Sequence, residues 1–300
     1  MSAPFSDFLD AKFALDERSL NADVRQTLLS ALEARVSLSC LDAGMGTGAT
    51  LRRLLSSGIS ASLQITGVDT QPDLLALAQS NFEQLLRQRN FQVRLADRHI
   101  FGISGDRTVE ATFVCSPLQA FSPAVGQAYD LIAAHALMDI VPVAPTVGHF
   151  KRWLIPGGLL YATLNYDGGT TLLPAYEDEH FEDRLLREYD ASMEKRLVDG
   201  ATTGASRSGR RLHAALIEAG FDIIACGSSD WNLTPQRGAY RDQDAICLRA
   251  LLEMIYGEGQ QCAEMDAEAL SAWHETRRIQ IATGTLGLIV HQFDILAENP

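Results

Sequence analysis

Several features are scarce in this 300-residue chain, and each scarcity removes a class of function. Basic residues are outnumbered, with 25 Lys and Arg against 38 Asp and Glu, which leaves a net charge of −13. A surface of that sign repels phosphate backbones and anionic lipid, so neither a nucleic acid nor a membrane is expected as a partner. Five cysteines stand far apart, at Cys40, Cys115, Cys226, Cys247 and Cys262, with no C-x-x-C pair. That argues against a zinc site or a disulfide framework and for a reducing, cytoplasmic setting. No metal-ligand spacing stands out, so no metal is expected. Met1 to Asp10 is short and polar, so no signal peptide is expected. The longest apolar stretch, Leu131 to Val147, is interrupted by His135, Asp139, Pro142 and Pro145 and does not read as a membrane span. Internal repeats and low-complexity tracts are also missing.

What remains is a soluble globular composition, 46% hydrophobic and 21% charged, in a chain long enough for one large domain or two smaller ones. The chain is organised around Ser39 to Leu51, S-C-L-D-A-G-M-G-T-G-A-T-L. A short apolar run ends at Asp42, then Gly44, Gly46 and Gly48 occupy alternate positions, and a helical pattern begins. Strand, glycine turn and helix together present free backbone N–H groups and the positive end of a helix dipole, a seat for a polar or anionic head group. A second apolar run, Leu63 to Val68, ends at Asp69-Thr70, where a carboxylate typically takes ribose hydroxyls. Pro72 then opens a helix with Leu74, Leu77, Ala78, Phe82 and Leu85 on one face, which completes a βαβ unit of a parallel sheet.

The dinucleotide fingerprint is G-x-G-x-x-G, whereas this loop reads G-x-G-x-G behind an aspartate. D-A-G-M-G-T-G followed by G-V-D-T resembles the S-adenosylmethionine (SAM) site of class I methyltransferases. The resemblance covers about Ser19 to Leu164 well and the later strands with insertions. It implies a doubly wound, seven-stranded mixed α/β sheet, Rossmann-like, with helical cap insertions, and methyl transfer from SAM by in-line displacement. Cofactor contacts are expected from Asp42, Ala43, Gly44, Met45, Gly46, Gly48, Asp69 and Thr70. Ser116, Pro117 and Leu118 would follow the third strand beside the adenine, with Ser116 where the family often has an aspartate. Ala134 and His135 would end the fourth strand.

Other segments read as follows. Ser19 to Val36 is an amphipathic helix with Val24, Leu28, Leu32 and Val36 on one face. The segment before it is expected as an arm or lid, with Lys12 and Arg18 placed to pair with a ligand carboxylate, Arg18 on the cofactor and Lys12 on the substrate. His135 is the candidate general base or substrate anchor, with Asp139 one turn on. A hairpin is expected around Gly105-Asp106, a fifth strand over Leu159 to Leu164, and a substrate cleft lined by Asn165, Tyr166 and Asp167. Gly200 to Gly209 reads as a mobile loop, Arg210 and Arg211 as an anion clamp or a solvated helix start, and Leu286 to Asp294 as the final strand. Trp231 to Ala282 reads as two helices broken around Gly257 to Cys262, either a cap carrying Trp231 and Tyr240 to the substrate or a homodimer interface.

The expected organisation is an arm and helix over 1–36, a SAM-binding core over 37–169, a cap insertion over 170–205, and the last strands over 206–300 with a helical insertion at about 231–282. The expected function is methylation of a small-molecule acceptor, at O, N or C. An NAD(P)-dependent oxidoreductase and a SAM-binding partner protein without catalysis are the alternatives.

Overall fold

A computed structural model describes residues 5–300. The chain opens with α1 (Phe5–Ser19) and α2 (Ala22–Leu32) and then alternates through β1 (Ser37–Ala43), α3 (Ala49–Ser56), β2 (Ser62–Asp69) and α4 (Pro72–Gln88). Next come β3 (Gln92–Ala96), β4 (His99–Ser104), β5 (Arg107–Cys115), β6 (Tyr129–His135), α5 (Val143–Trp153) and β7 (Leu154–Leu173). The second half holds α6 (Glu179–Met193), a small hairpin of β8 (Leu197–Val198) and β9 (Ala201–Thr202), and α7 (Ser208–Glu218). It continues with β10 (Asp222–Ser228), β11 (Trp231–Asn232), α8 (Asp244–Gln261), α9 (Ala267–Ala282) and β12 (Gly287–Asn299).

The main sheet runs β10-β12-β7-β6-β1-β2-β5-β4-β3, with β11 paired to β12. Strands β5, β2, β1, β6 and β7 pair in parallel, and β12 lies antiparallel between β7 and β10. The sheet is therefore mixed and doubly wound, as expected, but ten-stranded rather than seven-stranded. The excess is the β3–β4 hairpin, which extends the edge beyond β5, and the two-residue β11. The hairpin around Gly105-Asp106 is present between β4 and β5, and a second tight return before it makes β3 a strand of its own.

Both faces of the parallel strands are covered, so those strands read as continuous apolar runs. On one side α2, α3 and α4 bury Val24, Leu28, Leu51, Leu55, Ala78 and Phe82 against Leu38, Leu63 and Ile65. On the other side α5 and α7 bury Val147, Phe150, Leu212 and Leu216 against Leu41, Ile132 and Leu160. Helix α2 starts where Asn21 accepts the N–H groups of Asp23 and Val24, two donors the first turn cannot satisfy internally. A third core belongs to the additions: Ala11 and Leu15 of α1 meet Leu185 of α6, Leu248 and Leu252 of α8, and Trp273 of α9.

Several expected boundaries move. The helix expected over Ser19 to Val36 is α2, Ala22–Leu32: Ser19 closes α1, and Val36 lies beyond the helix and is exposed. The fifth strand does not stop at Leu164 but runs to Leu173 as β7, because β12 continues to pair with it through Gly287↔Leu173. The stretch 200–209 is not an open loop: it contains β9, a 3-10 turn over Ala205–Arg207 and the start of α7. Gly204 N donates to Val141 O and Ala205 N to Asp139 O, which pins it to the segment after β6. Helices α8 and α9 are present, separated over 262–266.

Candidate active site

The carboxyl ends of β1, β2 and β6 open on a cavity of ≈ 380 Å³. The glycine turn forms its floor. Gly44 N and Met45 N donate to Val68 O at 2.9 and 3.0 Å, which fixes the turn to the end of β2. Gly46 has φ +51, and a Cβ built there meets no atom within 4 Å, so the space above it is ligand space rather than core. Gly44 lies the other way: its Cβ would stand 2.7 Å from Leu137 Cδ1. Asp69 binds the turn together, with Oδ2 accepting from Gly46 N and Oδ1 from Gln71 N, both at 2.9 Å, while its carboxylate also lines the cavity.

The opposite wall comes from α1. Leu9, Lys12, Phe13 and Asp16, one face of that helix, line the cavity. Asp16 is only 2% exposed. Its Oδ2 accepts from Lys12 Nζ at 2.7 Å and lies 3.0 Å from His135 Nε2, and its Oδ1 accepts from Trp231 Nε1 at 3.1 Å. Burial alone would raise the Asp16 carboxyl, but the Lys12 charge and the His135 hydrogen bond outweigh it and hold the group below the ordinary carboxylate range. Glu17 pairs with Arg53 of α3, and Arg18 pairs with Asp244 of α8.

His135 stands at the junction of these walls. Its Nδ1 is 2.7 Å from Thr163 Oγ1, and its Nε2 is 3.0 Å from both Asp16 and Arg53 Nη2. Burial, helped by the Arg53 charge, lowers its pKa to about 3, so the ring is neutral at physiological pH. Both neutral tautomers leave it fully engaged. With Nε2–H donating to Asp16, Nδ1 accepts the Thr163 hydroxyl; with Nδ1–H donating to Thr163, Nε2 accepts from Arg53. Next to it Ala136 holds φ +47, with its N–H on Thr163 O, a strained conformation for a residue with a Cβ.

Asp42 lies beneath the turn, buried, with Oδ2 lacking any partner. Burial lifts its pKa to about 7, against the Thr50 hydroxyl hydrogen bond and the Arg53 charge.

Of the residues singled out from sequence, Gly44, Gly46, Asp69, Thr70, Ser116, Pro117, Leu118, His135 and Lys12 line this cavity. Ala43, Met45 and Ala134 are buried in the core instead, and Met45 packs its thioether over Gly67, where even a Cβ would sit 2.1 Å from Sδ. Arg18 is turned away to α8. Asn165, Tyr166, Asp167, Arg210 and Arg211 do not reach the cavity: Asn165 is buried and donates to Phe293 O, Tyr166 donates to Asp190, Arg210 pairs with Asp167, and Arg211 with Glu194. Trp231 supports Asp16 from behind, and Tyr240 donates to Leu286 O. Asp16 is the residue the sequence reading missed. Its only local signal was the Leu9, Lys12, Phe13, Asp16 stripe; its partner His135 is 119 positions away.

The residues fit SAM. Leu74, Pro117 and Leu118 offer apolar walls for an adenine, Asp69 a carboxylate for a ribose diol, and Lys12 with Asp16 opposite charges for an amino-acid end. Residues 41–160 match the methyltransferase-domain family. A Bacillus halodurans protein assigned as a methyltransferase superposes with a TM-score of 0.52 over 93% of this chain and 100% of its own, at 14% identity, a likeness of fold. A SAM-dependent methyltransferase from Geobacter sulfurreducens, solved with S-adenosylhomocysteine, covers 93% of this chain and 91% of its own at 17% identity and a TM-score of 0.45. No curated protein matches the chain. The fold is that of class I methyltransferases, and residues 41–160 carry the methyltransferase domain. The chain carries a SAM-dependent methyltransferase domain, and SAM is its methyl donor.

Proposed function

We propose that this enzyme methylates a small-molecule acceptor that enters past Leu9, Phe13, Ile140, Val141 and Val198. The carrying observation is a single cavity in which the Gly44–Gly46 turn and Asp69 face Lys12, Asp16 and His135, with that apolar group between them. Bound SAM supplies an activated sulfonium methyl group. The chain's residues have two tasks: to align a nucleophile behind that carbon, and to exclude water. Asp69 orients the ribose. Lys12 has N–H donors beyond the one spent on Asp16 and offers them to a carboxylate.

His135 is a positioning group in this reading. With both ring nitrogens engaged by protein, it joins β6 to α1 and has no free lone pair for a substrate proton. An acceptor that is already nucleophilic, such as a carboxylate or thiolate, suits the site best. Helix α1 and the β8 segment at Val198 form the cover, while α8, itself packed on α9, braces α1 from behind.

Calorimetry with SAM and S-adenosylhomocysteine tests the assignment. The wild type should bind both, and Asp69→Ala should bind about tenfold to a few hundredfold more weakly, the loss of a hydrogen bond to a charged group at roughly 1.5–3 kcal/mol. Tighter binding of NAD than of SAM would refute it.

A further inference from the structure

A second cavity, of ≈ 630 Å³, shares no lining residue with the donor cavity. The segment 194–206 lies between them: Val198 lines the donor side, and Glu194 and Ser206 line the other. Its floor is an irregularity in β7. Tyr166 pairs with Gln292 and Thr170 with Val290, so residues 167–169 stand opposite the single residue His291. Gly168 and Gly169 adopt φ +71 and +91, a conformation side chains resist, and a Cβ on Gly169 would stand 3.6 Å from His291 Cβ. Bulges of this kind recur where a sheet makes room for a site.

The lining carries three acids and three arginines, but they do not pair one to one. Asp167 is held by Arg210 at 2.8 Å. Glu194 is held by Arg211 and the Ser206 hydroxyl, both at 2.7 Å. Asp190 accepts the Tyr166 hydroxyl at 2.7 Å, and His291 pairs with Asp230 at 2.9 Å. Two lining guanidinium groups are left, Arg187 of α6 and Arg207 at the head of α7, neither in a hydrogen bond or ion pair among the described residues. Arg207 acts on Asp190 and Glu194 only through space. Each acid in the wall thus has a hydrogen-bond partner, Asp190 only a neutral hydroxyl, whereas the guanidinium groups of Arg187 and Arg207 have none among the described residues. In a chain of net charge −13, two arginines left free at one concave surface mark a place for an incoming anion.

We propose that this cavity is a second ligand site, which takes a phosphate or carboxylate group between Arg187 and Arg207. Planar guanidinium groups suit both anions, since each presents paired N–H donors to paired oxygens. The site is separate from methyl transfer, and its test keeps the two apart. Inorganic phosphate and malonate are each titrated calorimetrically into the full chain saturated with S-adenosylhomocysteine, so that Lys12 in the donor cavity is already occupied. Saturable binding of at least one anion in the millimolar range is expected, and which one binds assigns the group. In the Arg187→Gln/Arg207→Gln double variant that binding should weaken at least about tenfold, as loss of charged hydrogen bonds requires. Affinity for S-adenosylhomocysteine, measured separately, should stay unchanged, because neither arginine touches the donor cavity and both are exposed. Absence of saturable binding for both anions, or equal affinity in wild type and double variant, overturns the proposal.

Discussion

Two buried carboxylates, Asp16 and Asp42, are driven in opposite directions by the same physics. Each loses water, which favours the neutral acid. Asp16 recovers more than it loses because of the Lys12 charge and the hydrogen bonds with His135 and Lys12. Asp42 has only the Thr50 hydroxyl and a more distant Arg53, leaves one oxygen without a partner, and rises to about 7. Linkage then fixes a sign. An aspartate whose folded pKa lies above its unfolded value of 3.8 binds extra protons when folded. Its contribution to stability is therefore lost as pH rises from about 4 to about 7. Asp42→Asn removes that term. The variant's stability relative to wild type should grow across this window by up to a few kcal/mol and then level off. Urea melts at pH 5 and pH 8 measure it, and a difference that does not change with pH would show that Asp42 is charged in the fold at both.

Among the elements, α1 connects the core to the additions. One face carries Leu9, Lys12, Phe13 and Asp16 to the donor cavity, and the other buries Ala11 and Leu15 among α6, α8 and α9. What holds that support together is a buried ion pair. Arg277 of α9, 0% exposed, donates to both oxygens of Glu182 of α6, to Pro174 O and to Gln280, while Trp273 Nε1 donates to Glu182. Breaking such a pair strands a buried charge, so Arg277→Met should cost about 3–5 kcal/mol in a urea melt. Adding Glu182→Leu should recover much of the loss, since an apolar pair removes the stranded carboxylate. A single-variant cost below about 1 kcal/mol would mean that Glu182 finds water.

At the scale of the whole molecule, two cores flank the sheet and a third stands at one end, with the donor cavity bounded by the sheet and by α1 of that third core. Ligand-coupled closure over the donor would move α1 and the segment at Val198, with α9 behind α8 staying in place. Hydrogen exchange with and without S-adenosylhomocysteine should show rising protection in Lys12 to Arg18 and around Val198 as well as in the glycine turn, and little change in 267–282. Protection confined to residues 42–48 and to Asp69 would refute ligand-coupled closure.

The sequence alone determined the parts whose physics is local. A glycine turn must follow a strand and precede a helix, an acidic residue ending the next strand must fall beside it, and apolar runs at helical and strand periods must face a common sheet. The donor side of the cavity, from Gly44 to Asp69 and on to Leu118, was legible for that reason. Tertiary structure decided the rest, because it depends on which distant groups meet. Arg18 and Lys12 are both cations on one helix, and only the packing of α1 between β6 and α8 turns Lys12 to the cavity and Arg18 to Asp244. The Asn165–Asp167 segment follows the fifth strand as a cleft lining would, yet β12 keeps pairing with β7 and Asp167 ends on the far side of segment 194–206, paired with Arg210 of α7. Asp16 and His135 have no sequence relation at all; a hydrogen bond across 119 positions exists only once the sheet and the helix are both in place.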